Sequence, residues 1–316
     1  MASERPPTRK GTHHMRIMSY AEDGRARGAV VLGDTVVGLG LAVRHAGLPL
    51  PAGADLSVRE FLTEDLDREK VAEAARALAA DGRGRPLADV RPLPPVPDPD
   101  KILCIGLNYR DHAAEAGLPL PAEPMVFAKF RNCLIGAADA IVLPDEDEPV
   151  DYEAELAVVI GRRGKAIPAA KAADHIAGVT VFNDVSARSL QHATSQWTLG
   201  KSVDTFGPCG PWLVTLDEIP DLDDLPLRTR VNGRLLQDGS TSQMVFNVAE
   251  LVAYVSRVMT LEPGDIIATG TPAGVGNSRT PPVLLTEGDL VEVEIGSVGV
   301  LANPVVGPAR TPQAPN

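Results

Sequence analysis

Apolar positions along this chain alternate between a period of two and a helical period, and the change of period marks its organisation. Residues 15–20, 28–32 and 35–41 are short, β-branched and apolar. Asp23-Gly24 and Gly33-Asp34 separate them as turn pairs, so three strands are predicted. Residues 58–62 and 67–80 carry apolar side chains at helical spacing with alanine-rich filling, which predicts two helices. Pro92, Pro94, Pro95, Pro97 and Pro99 cannot share a ladder or a helix, so a linker and a domain boundary are predicted there. The expected division is a disordered leader over 1–14, a small α+β domain over 15–92 and a proline-rich linker over 93–100. A larger, mainly β domain over 101–306 and a disordered tail over 307–316 follow.

Beyond the linker, residues 101–106 and 125–130 read as strands. Between them lies a short helix over 111–116, stopped by Gly117. Residues 132–144 read as a hairpin region and 145–149 as a solvated acidic loop. Residues 151–161 form an apolar strand headed by carboxylates. A short helix over 167–175, a strand over 176–183 and a strand over 211–216 come next. Asn232-Gly233 predicts a hairpin turn between 227–231 and 234–237. Residues 247–259 read as an amphipathic helix with Leu251, Tyr254, Val255 and Val258 toward a core. A strand over 266–269 and the stretch 281–299 close the sheet. The fold class is α+β and mainly β.

Composition narrows the function. The chain has 316 residues and ordinary apolar and charged content, so it can bury a full core. Its formal net charge of −12 argues against nucleic acid or an anionic membrane surface as partner. No stretch is long and apolar enough to span a bilayer, and the first fourteen residues lack the apolar core of a secretory signal. Three cysteines without paired spacing fit a reducing cytoplasm.

Candidate chemistry gathers around Glu153 and Glu155. Two residues apart on a strand, their side chains share a face. Like carboxylates side by side repel and lose hydration, and a hard divalent cation removes both penalties. A solvated strand end is the alternative. Asp184 ends another strand, where a third ligand carboxylate or a helix cap would stand. His112 and Glu115 share a helix face, so the carboxylate can orient the imidazole as a base; a chance surface pair is the alternative. Lys129 lies among apolar neighbours and needs an anion beside it. Lys201 follows a glycine in an ordered loop, although the spacing is not that of a nucleotide-binding loop. Thr271 sits in a glycine-rich loop suited to a carboxylate or phosphate.

Five motifs in order, GLNYRDHAAEAG, DYEAELAVVIG, FNDVSARSLQ, QWTLGKSVDTFGPCGPW and PGDIIATGTPAGVG, resemble the fumarylacetoacetate hydrolase superfamily over residues 101–301. Within it they are similar to the 2-hydroxyhepta-2,4-diene-1,7-dioate isomerase and diketo-acid hydrolase subgroup. The resemblance implies a mixed β-roll domain, a homodimer and a divalent metal on Glu153, Glu155 and Asp184. Mg²⁺ is the expected ion, with Mn²⁺ and Ca²⁺ as alternatives. It further implies a His112–Glu115 dyad on a lid, a catalytic Lys201, and Lys129, Gln191 and Thr271 around the substrate. One departure from the common pattern is Phe130-Arg131-Asn132-Cys133, where Arg131 is expected to alter the pocket. The expected activity is metal-dependent hydrolysis of a C–C bond in a 2,4-diketo acid. Isomerisation of a hydroxydienedioate and decarboxylation of a 2-oxo acid use the same enolate chemistry. A silent oxo-acid binder or pathway scaffold is the reading from another class.

Overall fold

The computed structural model describes residues 14–50 and 55–308; the leader residues 1–13 and tail residues 309–316 lie outside them. The fold is α+β and mainly β, as the sequence predicts. Strands Arg16–Glu22, Arg25–Leu32 and Thr35–Gly38 form a meander, with helices Val58–Thr63 and Arg68–Ala80 after it. Their caps are local: Ser57 and Glu60 form a reciprocal capping box, and Asp67 accepts from the Lys70 amide.

The main sheet has twelve strands. One half of it runs Gly207–Val214, Ile176–Asn183, Ala154–Ile160, Ile266–Ala268 and Ile102–Gly106, and ends at Met125–Lys129. The N-terminal meander joins the same sheet, because Arg16 and Ile17 pair with Val214 and Leu213. All seven residues of Ala154–Ile160 are buried. The reason is a core on each face. Leu156, Val158 and Ile160 pack into the large core, while Val159 packs with Phe61, Val71 and Leu78 of the N-terminal helices. A second sheet of five strands runs Arg234–Ser240, Pro226–Val231, Leu290–Ile295, Gly299–Val306 and Ile141–Val142.

Several local expectations change. The strand expected to reach residue 41 stops at Gly38, and Leu39–His45 is a helix, because Leu39, Ala42 and Val43 are buried at helical spacing. Residues 132–144 are not a hairpin. Leu134–Ile135 pairs in parallel with Gly207–Val214, and Ile141–Val142 pairs in parallel with Gly299–Val306. Asn303 donates to the carbonyls of Gly136 and Asp139, so a distant strand captures that turn. Residues 169–175 wind as a 3₁₀ helix. The helix begun by the Asn247/Glu250 capping box ends at Ser256, which leaves Val258 73% exposed and outside the core. The proline segment is packed, with Pro94, Pro95 and Val96 buried and Ser19 donating to the Pro95 carbonyl at 2.7 Å. Proline rings have no N–H to satisfy and bury well. Among the described residues no helix is long and apolar enough to cross a membrane.

Candidate active site

Antiparallel pairing builds the site. Ala154 lies opposite Asn183 and Glu155 opposite Phe182, so the start of one strand meets the end of the other. Glu153 and Asp184 flank this junction. The Asp184 amide donates to the Glu153 carbonyl at 2.9 Å, and the Glu153 amide donates to the Asn183 side chain at 3.0 Å. Glu153, Glu155 and Asp184 each present a carboxylate oxygen within 4.8 Å of the others, and all three are buried.

Three buried cations face this cluster. Lys201 Nζ donates to Glu153 and to Asp184, both at 2.8 Å. Lys129 Nζ donates to Asp184 at 2.6 Å and to the Val185 carbonyl at 3.2 Å. Arg188 donates to Asp151 at 2.7 Å, to Glu153 at 2.6 Å and to Gln191 at 2.8 Å. Burial pushes the Glu153 carboxyl up, but Lys201 and Arg188 outweigh it and hold the group at about 2. Burial also disfavours charge on Lys201, yet Asp184 and Glu153 keep its ammonium above the usual lysine range.

Glu155 is the exception. It accepts only the Gly270 amide, at 3.0 Å, among the described residues. Burial first, then Asp184 and Glu153, push its carboxyl well above the usual range. Four buried carboxylates, counting Asp151, face three buried cations, which leaves one uncompensated negative charge. This donor set fits a hard divalent cation. Such an ion would turn the cluster net positive, which suits an anionic ligand inside an acidic protein.

A cavity of about 300 Å³ opens over the carboxylates. His112, Gln191, Lys201 and Thr271 line it together with Glu153 and Glu155. Phe127 and Trp197 form an apolar wall, edge to face with centroids 5.5 Å apart. The wall needs Gly106, since a Cβ there would come within 2.7 Å of the Trp197 ring. His112 rides on the short helix Arg110–Glu115. Its Nδ1 lies 3.4 Å from Glu115, and both Glu115 oxygens accept the Gly274 amide at 3.0 and 3.1 Å. Asn108 ties the base of that helix to the carbonyls of Phe246 and Thr269.

The structure brings most of the sequence candidates to one place but separates two from the cavity. Lys129 is the ion-pair partner of Asp184 and is not part of the cavity lining. Arg131 is exposed and does not line the cavity, contrary to the expected effect on the pocket. Sequence reasoning missed Arg188, Asp151, Trp197 and Gln237. Arg188 carried no clear sequence signal, since the residues before it, Val185-Ser186-Ala187, are not a purely apolar run. A larger cavity, about 440 Å³, lies at the opposite end of the same strands against Gly161 and Ile176, away from this chemistry.

Fold and site together describe an enzyme whose buried acidic triad could hold a divalent cation. Residues 101–306 match the family model described as fumarylacetoacetate (FAA) hydrolase C-terminal, and the chain belongs to that family. It is 52% identical over 233 residues to a mitochondrial oxaloacetate tautomerase of Bos taurus, covering 73% of this chain and 74% of that one. A mitochondrial oxaloacetate tautomerase of Homo sapiens is 46% identical over 273 residues, or 85% of this chain and 87% of the relative. Among solved structures, the 2-hydroxyhepta-2,4-diene-1,7-dioate isomerase of Mycobacterium marinum superposes with a TM-score of 0.69 at 37% identity, covering 93% and 98% of the two chains. The maleylpyruvate hydrolase of Sphingobium sp. SYK-6, solved with manganese(II) and pyruvate, gives a TM-score of 0.75 at 31% identity, covering 93% and 100%.

Proposed function

We propose that this enzyme interconverts the keto and enol forms of a short 2-oxo dicarboxylic acid of the oxaloacetate class. The observation that carries the reading is that His112, braced by Glu115, lines one small cavity with Glu153 and Glu155 of the buried three-carboxylate cluster. The two relatives named as oxaloacetate tautomerases support the choice of substrate.

Glu153, Glu155 and Asp184 would hold a divalent cation, Mg²⁺ or Mn²⁺. When bound, such an ion supplies Lewis-acid polarisation to a 2-oxo group. His112 does the proton transfer. With Nδ1–H donating to Glu115, its Nε2 is left as the base. In the keto-to-enol direction it takes the C3 proton, the C–H electron pair becomes the C2–C3 double bond, and the carbonyl pair moves to O2. Lys201, held as an ammonium by Glu153 and Asp184, stabilises the charge growing on O2. Return of that proton from His112 to O2 completes the enol and restores the base. Gln191 and Thr271 hold the carboxylate end, and Phe127 and Trp197 keep bulk water from the enolate.

A second reading is hydrolysis of a C–C bond in a 2,4-diketo acid, in which His112 would take its proton from an attacking water. The likeness to a solved maleylpyruvate hydrolase supports it. One experiment separates the two. Freshly dissolved oxaloacetate and a panel of acylpyruvates are followed by ultraviolet absorbance with Mg²⁺ or Mn²⁺, and products are identified. Faster keto–enol equilibration without product formation supports the tautomerase. Pyruvate plus a carboxylic acid from an acylpyruvate replaces it with the hydrolase.

A further inference from the structure

The second sheet reaches the site through the strand Arg234–Ser240, on which the glycine-rich loop lies. A Cβ at Gly239 would come within 2.5 Å of Pro272, and one at Gly274 within 2.3 Å of the Leu236 carbonyl. Between these contacts sits Gln237, only 1% exposed and with all its hydrogen-bonding capacity used. Its Oε1 accepts the Ala154 amide at 2.9 Å and the Thr229 hydroxyl at 2.7 Å. Its Nε2 donates to the Pro272 carbonyl at 3.0 Å and to Thr271 Oγ at 2.8 Å.

The orientation of that amide is forced. The Ala154 N–H can only donate, and the Pro272 carbonyl can only accept, so Gln237 cannot flip. Thr271 Oγ therefore faces an N–H and must act there as acceptor. A threonine hydroxyl has one hydrogen to give. Among the described residues it is given to nothing, and Thr271 lines the cavity.

We propose that Gln237 is a positioning residue that fixes the Thr271 hydroxyl as a hydrogen-bond donor into the cavity. Thr271 then selects an oxygen that can only accept, such as a carboxylate of the oxo acid. This rests on the oxo-acid reading above. The same amide grips the Ala154 N–H, between Glu153 and Glu155, so one side chain holds both the ligand strand and the anion loop in register.

The test is oxalate binding to the Mn²⁺-loaded protein by calorimetry, with Mn²⁺ affinity measured in parallel. Gln237→Glu presents only acceptors, so the Thr271 hydrogen turns inward and oxalate binds about tenfold more weakly. Thr271→Val causes a similar loss and Thr271→Ser does not. The double variant Gln237→Glu/Thr271→Val is no weaker than Thr271→Val alone, because the two changes remove the same hydrogen bond. Where oxaloacetate is turned over, the loss in Gln237→Glu falls on KM and leaves kcat within about threefold. If Gln237→Glu does not fold, Gln237→Met is used, for which the same failure to multiply is expected. Effects that multiply in the double variant, or unchanged oxalate affinity in the Gln237 variant, overturn the proposal. A wild type that binds oxalate yet leaves oxaloacetate untouched discards the reaction and leaves this coupling standing. A wild type that does not bind oxalate overturns both.

Discussion

Glu155 is buried and receives one hydrogen bond among the described residues, from the Gly270 amide at 3.0 Å. Its neighbour Glu153, two residues away, is held by both Arg188 and Lys201. Two carboxylates on one strand face are therefore in opposite electrostatic states, and only one of them lacks a cation.

That difference predicts how the metal site responds to substitution. Glu155→Gln removes an uncompensated buried acid, so the metal-free protein melts at the same or a higher temperature. Its Mn²⁺ affinity falls by at least about a hundredfold, because a charged ligand is lost. Calorimetric titration and thermal melting check this. A metal-free variant that melts well below the wild type contradicts it.

Arg188 should matter for folding more than for contact with substrate. Removing it leaves the buried Asp151 without its cation and takes one of two cations from Glu153, which costs about 3–5 kcal/mol. Arg188→Met is expected to lower the urea midpoint accordingly. Arg188→Lys restores little, since an ammonium cannot match the fork to Asp151, Glu153 and Gln191. A denaturation midpoint unchanged in Arg188→Met would remove this account of the network.

The dyad should separate chemistry from binding. His112→Ala is expected to lower kcat by about 10²–10⁴ while Mn²⁺ affinity stays near wild type, because His112 belongs to the helix Arg110–Glu115 and not to the carboxylate cluster. Glu115→Gln keeps the shape but weakens the orienting charge, so it gives a smaller loss in the same parameter. Metal affinity lost together with turnover in His112→Ala would remove the base assignment.

The cysteines should be inert in the native protein. Cys104, Cys133 and Cys209 are all buried. Burial pushes the Cys133 thiol up to about 11 and the Cys209 thiol to about 12. Since the thiolate is the nucleophile, a group raised this far holds on the order of 0.1% thiolate or less at pH 8. Iodoacetamide is expected to label none of the three in the folded protein at that pH and all three in urea, as read by mass spectrometry. Native labelling of Cys133 at pH 8 would contradict the burial.

Much of the site's layout is legible in the sequence because it is local. The period of two puts Glu153 and Glu155 on one face, the strand end at Asn183 locates Asp184, and helical spacing pairs His112 with Glu115. The supporting contacts are not local. Gln237 binds Ala154 across 83 residues and Arg188 binds Asp151 across 37, so no spacing rule reveals them. Lys129 needed an anion, but pattern alone did not show that Asp184 supplies it from 55 residues away. The same limit explains the fold errors. The turn around Gly136–Asp139 reads as a hairpin until Asn303 claims its carbonyls. The apolar run past Gly38 reads as strand until tertiary packing turns Leu39, Ala42 and Val43 to one side of a helix.

The central claim is tested most directly by the decay of the oxaloacetate enol band in the ultraviolet, measured on the wild type with Mn²⁺, with chelator, and on Glu153→Ala shown to be folded. The account predicts fast equilibration with Mn²⁺ and the uncatalysed rate in the other two samples, with no pyruvate or CO₂ released. Equilibration at the uncatalysed rate in the Mn²⁺-loaded wild type, or a full rate that survives chelation and Glu153→Ala, would contradict it.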